Sequence, residues 1–230
     1  AFGLLAASWL DAKIQELGAG KVAAVIGEPI QGAGGVIVPP ATYWPEIQRI
    51  CKKYDVLLHL DEVITGFGRT GNWFGAQTYN ITPDLMSLAK GISSGYQPIS
   101  AVALGPRVGD AFATANEEFV HGFTWSGHPV ACAVSLKNIE IIEREKLVER
   151  VHDDIGPYFQ AKIRELTNHP LVGEVRGIGL LGAIELVKDK KKREFFPSDA
   201  NVGTLCRNHC FSNGLVMRAM LTPSVPEFTR

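Results

Sequence analysis

The sequence predicts a mixed α/β protein built on a mostly parallel sheet, and three observations carry that prediction. Three short apolar runs, Val22 to Ile26, Val56 to Leu60 and Leu85 to Ala89, each lead into an ionisable residue, as buried parallel strands do where they leave a sheet. Between the first two, Ile47, Ile50, Cys51 and Tyr54 share one helical face, which gives the strand–helix–strand unit of a parallel sheet. From Pro129 onward the pattern changes to long helices followed by two further strands.

Taken in order, Leu4, Leu5, Trp9, Leu10 and Ile14 recur near helical spacing and predict an opening helix. The first strand runs into Glu28-Pro29 and the second into Asp61-Glu62. The third runs into Lys90, although that apolar run serves equally as a turn of helix, and Ile99 to Leu104 predicts a fourth strand. Ser126-Gly-His-Pro129 is a helix start, with proline in the first turn. Ala133, Leu136, Ile139, Glu140 and Glu143 then run through a long helix, and a second helix follows around residues 155–166. Val172 to Val175 and Leu180 to Val187 predict two strands separated by the turn-forming Gly177-Ile-Gly179. The chain starts at Ala1 inside a helical pattern and ends at Arg230 with no closing element, so both ends are expected to be cut.

Composition excludes several classes. Hydrophobic residues are 46% and charged residues 20% of the 230, which is ordinary globular usage rather than that of a disordered or fibrous chain. The net charge of -1, with dispersed basic residues, gives no footprint for nucleic acid. No apolar run reaches the roughly 18–20 residues of a membrane span. The four cysteines form no CxxC pair and predict a reduced, cytoplasmic protein. Cys206, His209 and Cys210 could share a helical face, but three soft residues without a fourth ligand are expected to be ordinary helix residues. The run Lys188-Asp-Lys-Lys-Lys-Arg193 is expected to be a solvated loop. Gly32-Ala-Gly-Gly35 lacks the GxGxxG or GK[ST] mechanics of a nucleotide loop.

In open α/β sheets ligands collect at the carboxyl ends of the strands. Glu28, Asp61 and Lys90 each follow an apolar run, so neighbouring strands would bring them to one crevice. A carboxylate and a lysine placed there are costly unless compensated. Residue types alone leave two solutions open. One is a direct Asp61–Lys90 ion pair. The other is an inserted cofactor whose protonated ring nitrogen faces the carboxylate and whose carbonyl carbon is bound by the lysine.

Four blocks carry a resemblance: Glu28-Pro-Ile-Gln-Gly-Ala-Gly-Gly35, Leu60-Asp-Glu-Val-Ile-Thr-Gly-Phe-Gly-Arg-Thr-Gly71, Asp84-Leu-Met-Ser-Leu-Ala-Lys-Gly91 and His121-Gly-Phe-Thr-Trp-Ser-Gly-His-Pro129. With the spacing between Asp61 and Lys90, they resemble the class III pyridoxal-phosphate-dependent aminotransferases from about residue 9 to about residue 218. The resemblance implies fold type I: residues 1–150 as part of the mostly parallel-sheet large domain with its connecting helix, and 151–230 as part of the α+β C-terminal small domain. It implies pyridoxal 5'-phosphate as cofactor and a homodimer with its active sites at the interface. Lys90 would be the Schiff-base lysine, Asp61 the partner of the pyridine nitrogen, and Val63 a packing residue on the ring face. Thr124 would reach the phosphate of the neighbouring subunit's cofactor, and Glu28 would lie near the cofactor. Arg69 is expected to hold its loop rather than bind substrate.

Members acting on 4-aminobutyrate or ornithine carry a glutamate where this chain has Ala33, and the ornithine type a glutamine at Ile64. With Pro39-Pro-Ala-Thr-Tyr-Trp-Pro-Glu-Ile-Gln48, those positions look most like the amine–pyruvate, or omega, transaminases. The implied reaction moves an amino group from a primary amine or omega-amino donor to pyruvate or another 2-oxo acid. A 4-aminobutyrate or diamine enzyme, a dialkylglycine decarboxylase, an aminomutase or an inactive fragment are the alternatives. The resemblance also places the phosphate-holding loop and the ring-stacking aromatic upstream of this chain, and the stretch after Arg218 departs from the family pattern.

Overall fold

The structure is a computed structural model and describes residues 1–115 and 118–220. Its main sheet has four strands in the order β1 (Ala24–Gly27), β2 (Leu57–Asp61), β3 (Leu85–Leu88) and β4 (Ala101–Leu104). The first three are mutually parallel, with Gly27 opposite Leu60 and Asp61 opposite Ser87, and β4 runs antiparallel to β3. The link from Leu88 to Ala101 holds only a three-residue 3-10 turn and no α-helix of the kind that usually carries a parallel crossover. All four expected strands are present, each within two residues of the expected start. The third is a strand, not a turn of helix.

Helices α1 (Phe2–Leu17) and α2 (Tyr43–Tyr54) pack together and build the core with the sheet. Trp44, Ile47, Ile50 and Cys51 of α2 are buried against Leu58 and Leu60 of β2 and Ile14 of α1. Each such side chain contributes about 1.5–3 kcal/mol through burial. Desolvation pushes the Cys51 thiol up to about 11. The expected opening helix is present; its buried row is Gly3, Ala7 and Ile14, while Leu4, Leu5 and Trp9, whose spacing predicted it, are exposed. Gly3 explains the choice of face, because a Cβ there would stand 2.5 Å from the Thr42 hydroxyl oxygen. Only small residues let the helix approach so closely.

Two short helices that periodicity did not predict follow: α3 (Gly75–Thr78), and α4 (Pro106–Thr114) behind β4. The long helix α5 (Pro129–Arg144) starts at its predicted proline. Its buried row is Ala131, Ser135 and Ile142, and Leu136 faces out. Then α6 (Leu147–Arg150), a π-helical turn (Val151–Ile155) and α7 (Gly156–Glu165) form one helical run, so residue 150 falls inside it. Strands β5 (Val172–Ile178) and β6 (Leu181–Leu186) form a separate antiparallel pair. Gly177 lies within β5 and not in the turn. Its missing side chain admits Gln160, whose Nε2 donates to Gly179 O and Leu181 O, both at 2.9 Å. The cysteine-bearing helix α8 (Val202–Ser212) ends the described elements. Among the described residues no three His, Cys, Asp or Glu side chains are grouped to hold a metal ion, and no helix is long and apolar enough to cross a membrane. The basic run at 188–193 is an exposed turn in which Lys188 pairs with Glu194.

Candidate active site

Three neighbouring parallel strands deliver their ionisable residues to one rim. Glu28 follows the last residue of β1, Asp61 closes β2, and Lys90 comes two residues after β3. The register therefore aligns the expected triplet on the carboxyl edge of the sheet, where ligands of such sheets bind. Asp61 is half-buried, and its Oδ1 accepts a hydrogen bond from Val63 N at 3.0 Å. Its Oδ2 accepts none among the described residues, and Lys90 is exposed with no acidic partner among them. The direct Asp61–Lys90 ion pair that residue types left open is not formed.

Lys90 leaves β3 in an unusual backbone state. Ala89 is extended, and Lys90 itself has φ +43°, a left-handed conformation that costs a non-glycine residue roughly 1–2 kcal/mol. A 3-10 turn (Lys90–Ile92) follows, with Ile92 N donating to Ala89 O at 3.1 Å. Gly91 lets this turn rest on the preceding loop, since a Cβ there would be 2.8 Å from Phe67 Cβ. From the other side Asn138 of α5 donates through Nδ2 to Gly91 O at 2.9 Å and Ile92 O at 3.1 Å.

The loop after Asp61 is organised by its neighbour. Glu62 is completely buried and accepts from Thr65 Oγ1 at 2.5 Å, Gly75 N at 2.8 Å and Ala76 N at 2.7 Å. Burial raises its carboxyl above the usual glutamate range, and those three donors oppose the rise. Arg69 Nη1 donates to Ile64 O at 3.0 Å and Gly66 O at 3.3 Å, so this arginine holds its loop as expected. Burial lowers the Arg69 pKa. Glu28 closes the adjoining turn by accepting from Gly32 N at 2.9 Å. A Cβ on Gly32 would be 2.4 Å from Ile64 Cδ1. The turn bearing Ala33 is therefore seated against Ile64, and the two positions that set this chain apart within its family resemblance are neighbours.

Val63 is half-buried beside Asp61. Thr124 lies in an exposed turn just before α5, and no hydrogen bond joins it to the strand-end residues among those described. A cleft lined by Asn72, Trp73, Gln77, Glu149 and His152 contains neither Asp61 nor Lys90. Two contributors were missed from sequence. Glu62 is half of an acidic doublet at a strand end, where alternation sends one carboxylate to each side. Asn138 continues the Ala131, Ser135, Ile142 row at helical spacing, and a polar residue in a buried row has to find partners.

A parallel sheet with a carboxylate and a lysine on adjacent strand ends is the arrangement that the resemblance to class III aminotransferases led one to expect. The sequence model of the family described as aminotransferase class III matches residues 7–224, and the chain belongs to that family. The putrescine–pyruvate aminotransferase of Pseudomonas aeruginosa is 57% identical over 219 residues, covering 95% of this chain and 48% of its own. The mitochondrial gamma aminobutyrate transaminase 1 of Solanum lycopersicum is 46% identical, over 91% of this chain and 41% of its own. The omega transaminase of Pseudomonas jessenii, solved in complex with PMP, superposes with a TM-score of 0.90 at 46% identity, over 95% of this chain and 49% of that one. The chain spans about half the length of the curated relatives it matches.

Proposed function

We propose that the protein is a pyridoxal-phosphate-dependent aminotransferase that moves an amino group from a primary amine or omega-amino donor to pyruvate or another 2-oxo acid. The observation that carries this reading is the placement of Asp61 and Lys90 on adjacent strand ends without an ion pair between them. A carboxylate oxygen with no donor among the described residues suits a protonated pyridine nitrogen, and an exposed lysine with no acidic partner among them suits the cofactor's aldehyde. These residues fit the group.

Pyridoxal phosphate, when bound, supplies an electron sink for charge developing on the substrate's amine-bearing carbon. Asp61 keeps the ring nitrogen protonated, because an adjacent negative charge favours the cationic form. The Val63 amide fixes that carboxylate's direction, and the Val63 side chain would pack on one face of the ring. Lys90 Nζ would hold the cofactor through its aldehyde carbon and, as a free amine, would hold and move the proton of the substrate's amine-bearing carbon. Glu28 stands near the cofactor as the carboxylate that shapes the 28–32 turn. Thr124 reaches the phosphate bound by the other subunit of a homodimer. Residues 1–150 serve as the cofactor-binding part and 151–230 as the small domain. Four free cysteines favour a cytoplasmic setting.

Ala33 and Ile64, together with the putrescine–pyruvate relative, support an amine donor over 4-aminobutyrate. Borohydride reduction of the full-length protein with pyridoxal phosphate should label the Lys90 peptide alone, and Lys90→Ala should abolish the label. Label on another lysine would overturn the site. With pyruvate as acceptor, putrescine and 1-phenylethylamine should outrun 4-aminobutyrate. The reverse order would overturn the donor class and leave the site standing.

A further inference from the structure

Asn138 is far from Lys90 in sequence and on a different element, yet its side chain grips the lysine's turn. Its single Nδ2 carries two N–H groups, and each finds a backbone carbonyl, Gly91 O at 2.9 Å and Ile92 O at 3.1 Å. Those carbonyls belong to the two residues directly after Lys90. A double anchor at that point acts on a backbone that is otherwise inclined to move, because Lys90 sits at φ +43° where lysine gains nothing intrinsically. Gly91 pressed on Phe67 bounds the turn on one side, and α5 bounds it on the other.

We propose that Asn138 is a positioning residue for Lys90, whose side-chain amide clamps the Lys90–Ile92 turn and thereby fixes where the lysine amine stands relative to Asp61. The inference rests on the function proposed above. Without the clamp the turn relaxes toward negative φ at Lys90, and the direction in which the side chain leaves the backbone changes with it. A shift of about an ångström in a reacting group is enough to cost one to two powers of ten in rate. The effect falls on proton transfer by Nζ and not on donor binding, so kcat and KM should separate.

The test uses the full-length protein loaded with pyridoxal phosphate, comparing wild type with Asn138→Ala and Asn138→Asp. The aspartate keeps the shape but cannot donate, and it decides the question if the alanine variant does not fold. The expected result is a kcat lower by about tenfold or more with KM for the amine within about twofold. The pH midpoint of the visible absorbance should move by roughly half a unit, and borohydride labelling of Lys90 should slow. A merely structural Asn138 would lower the melting temperature and leave the absorbance midpoint and kcat at their wild-type values, and that outcome overturns the inference. Wild-type protein that is not labelled on Lys90 overturns the function itself, and the inference with it. Labelled wild type with indistinguishable variants overturns only the role of Asn138.

Discussion

Two segments flank the strand-end rim, and they are built on opposite principles. The loop from Glu62 to Ala76 is closed on itself: Glu62 is fully buried, Thr65 and Thr70 are buried, and Arg69 ties down two carbonyls. The segment from Glu118 to His128 turns its large apolar side chains outward, with Val120 90% and Trp125 76% exposed. The first keeps Asp61 and Val63 in place from within the chain. The second has aromatic area to offer to something else, and it carries Thr124. A site residue in the first segment should therefore depend on this chain's own hydrogen bonds, and one in the second on a partner surface.

The sharpest cut through this contrast is Asp61→Asn. The amide oxygen can still accept from Val63 N, so the loop should keep its shape and the melting temperature should stay at the wild-type value. What is lost is the charge that, under the proposed function, would hold the ring nitrogen protonated. We expect kcat to fall on the order of 10²–10³-fold, comparable to removing one charge-stabilising group from an active site. Steady-state kinetics beside a thermal melt would check it. Unfolding of the variant would mean that Asp61 belongs to the architecture of the loop more than to its chemistry.

Next in size is Glu62→Gln. Three donors converge on the two carboxylate oxygens, and a glutamine offers one acceptor and turns an NH2 toward donor groups. We expect a loss of about 2 kcal/mol in urea unfolding, the cost of leaving buried donors unpaired. The pH dependence has a defined sign. Burial raises the folded-state pKa of Glu62 above its unfolded value, so its contribution to stability is fully present below the unfolded pKa and is lost as pH rises through the folded one. The gap between wild type and variant should be wider at acidic pH and should narrow as pH climbs past the glutamate range. A gap that widens toward neutral pH would refute the assigned direction.

How much of this was legible beforehand follows from the range of each interaction. The strands and the rim were readable because apolar runs ending at Glu28, Asp61 and Lys90 are local signals. The helix α1 was legible from Leu4, Leu5 and Trp9, but its buried face was not, because Gly3 and Ala7 carry little weight in any hydrophobicity pattern. Close approach to Thr42, a contact between distant parts of the chain, decided the face instead. Gly177 looked like a turn former, whereas a side chain from α7 needs its space. Glu62 and Asn138 went unnoticed for the same reason: both backbone donors to Glu62 are 13 or 14 positions away, and both carbonyls held by Asn138 are 46 or 47 away. Periodicity says that such a residue is buried but not what satisfies it.

The smallest expected change tests the outward segment. Trp125 lies in the exposed turn with Thr124, and its ring makes a tilted approach to His128 at 6.3 Å. Within a single chain, Trp125→Ser should therefore alter folding stability by no more than about 0.5 kcal/mol, as for other exposed sites. If a second copy covers this segment, the same change removes a large aromatic anchor from the contact. The dimer dissociation constant should then rise about tenfold, equivalent to about 1.4 kcal/mol. Sedimentation over a concentration series, beside a melt at high concentration, separates the two effects. A large loss of intrinsic stability with unchanged association would mean that the segment packs on its own chain. The contrast with the Glu62 loop would then disappear, and Thr124 would have to be reassigned to the site of its own subunit.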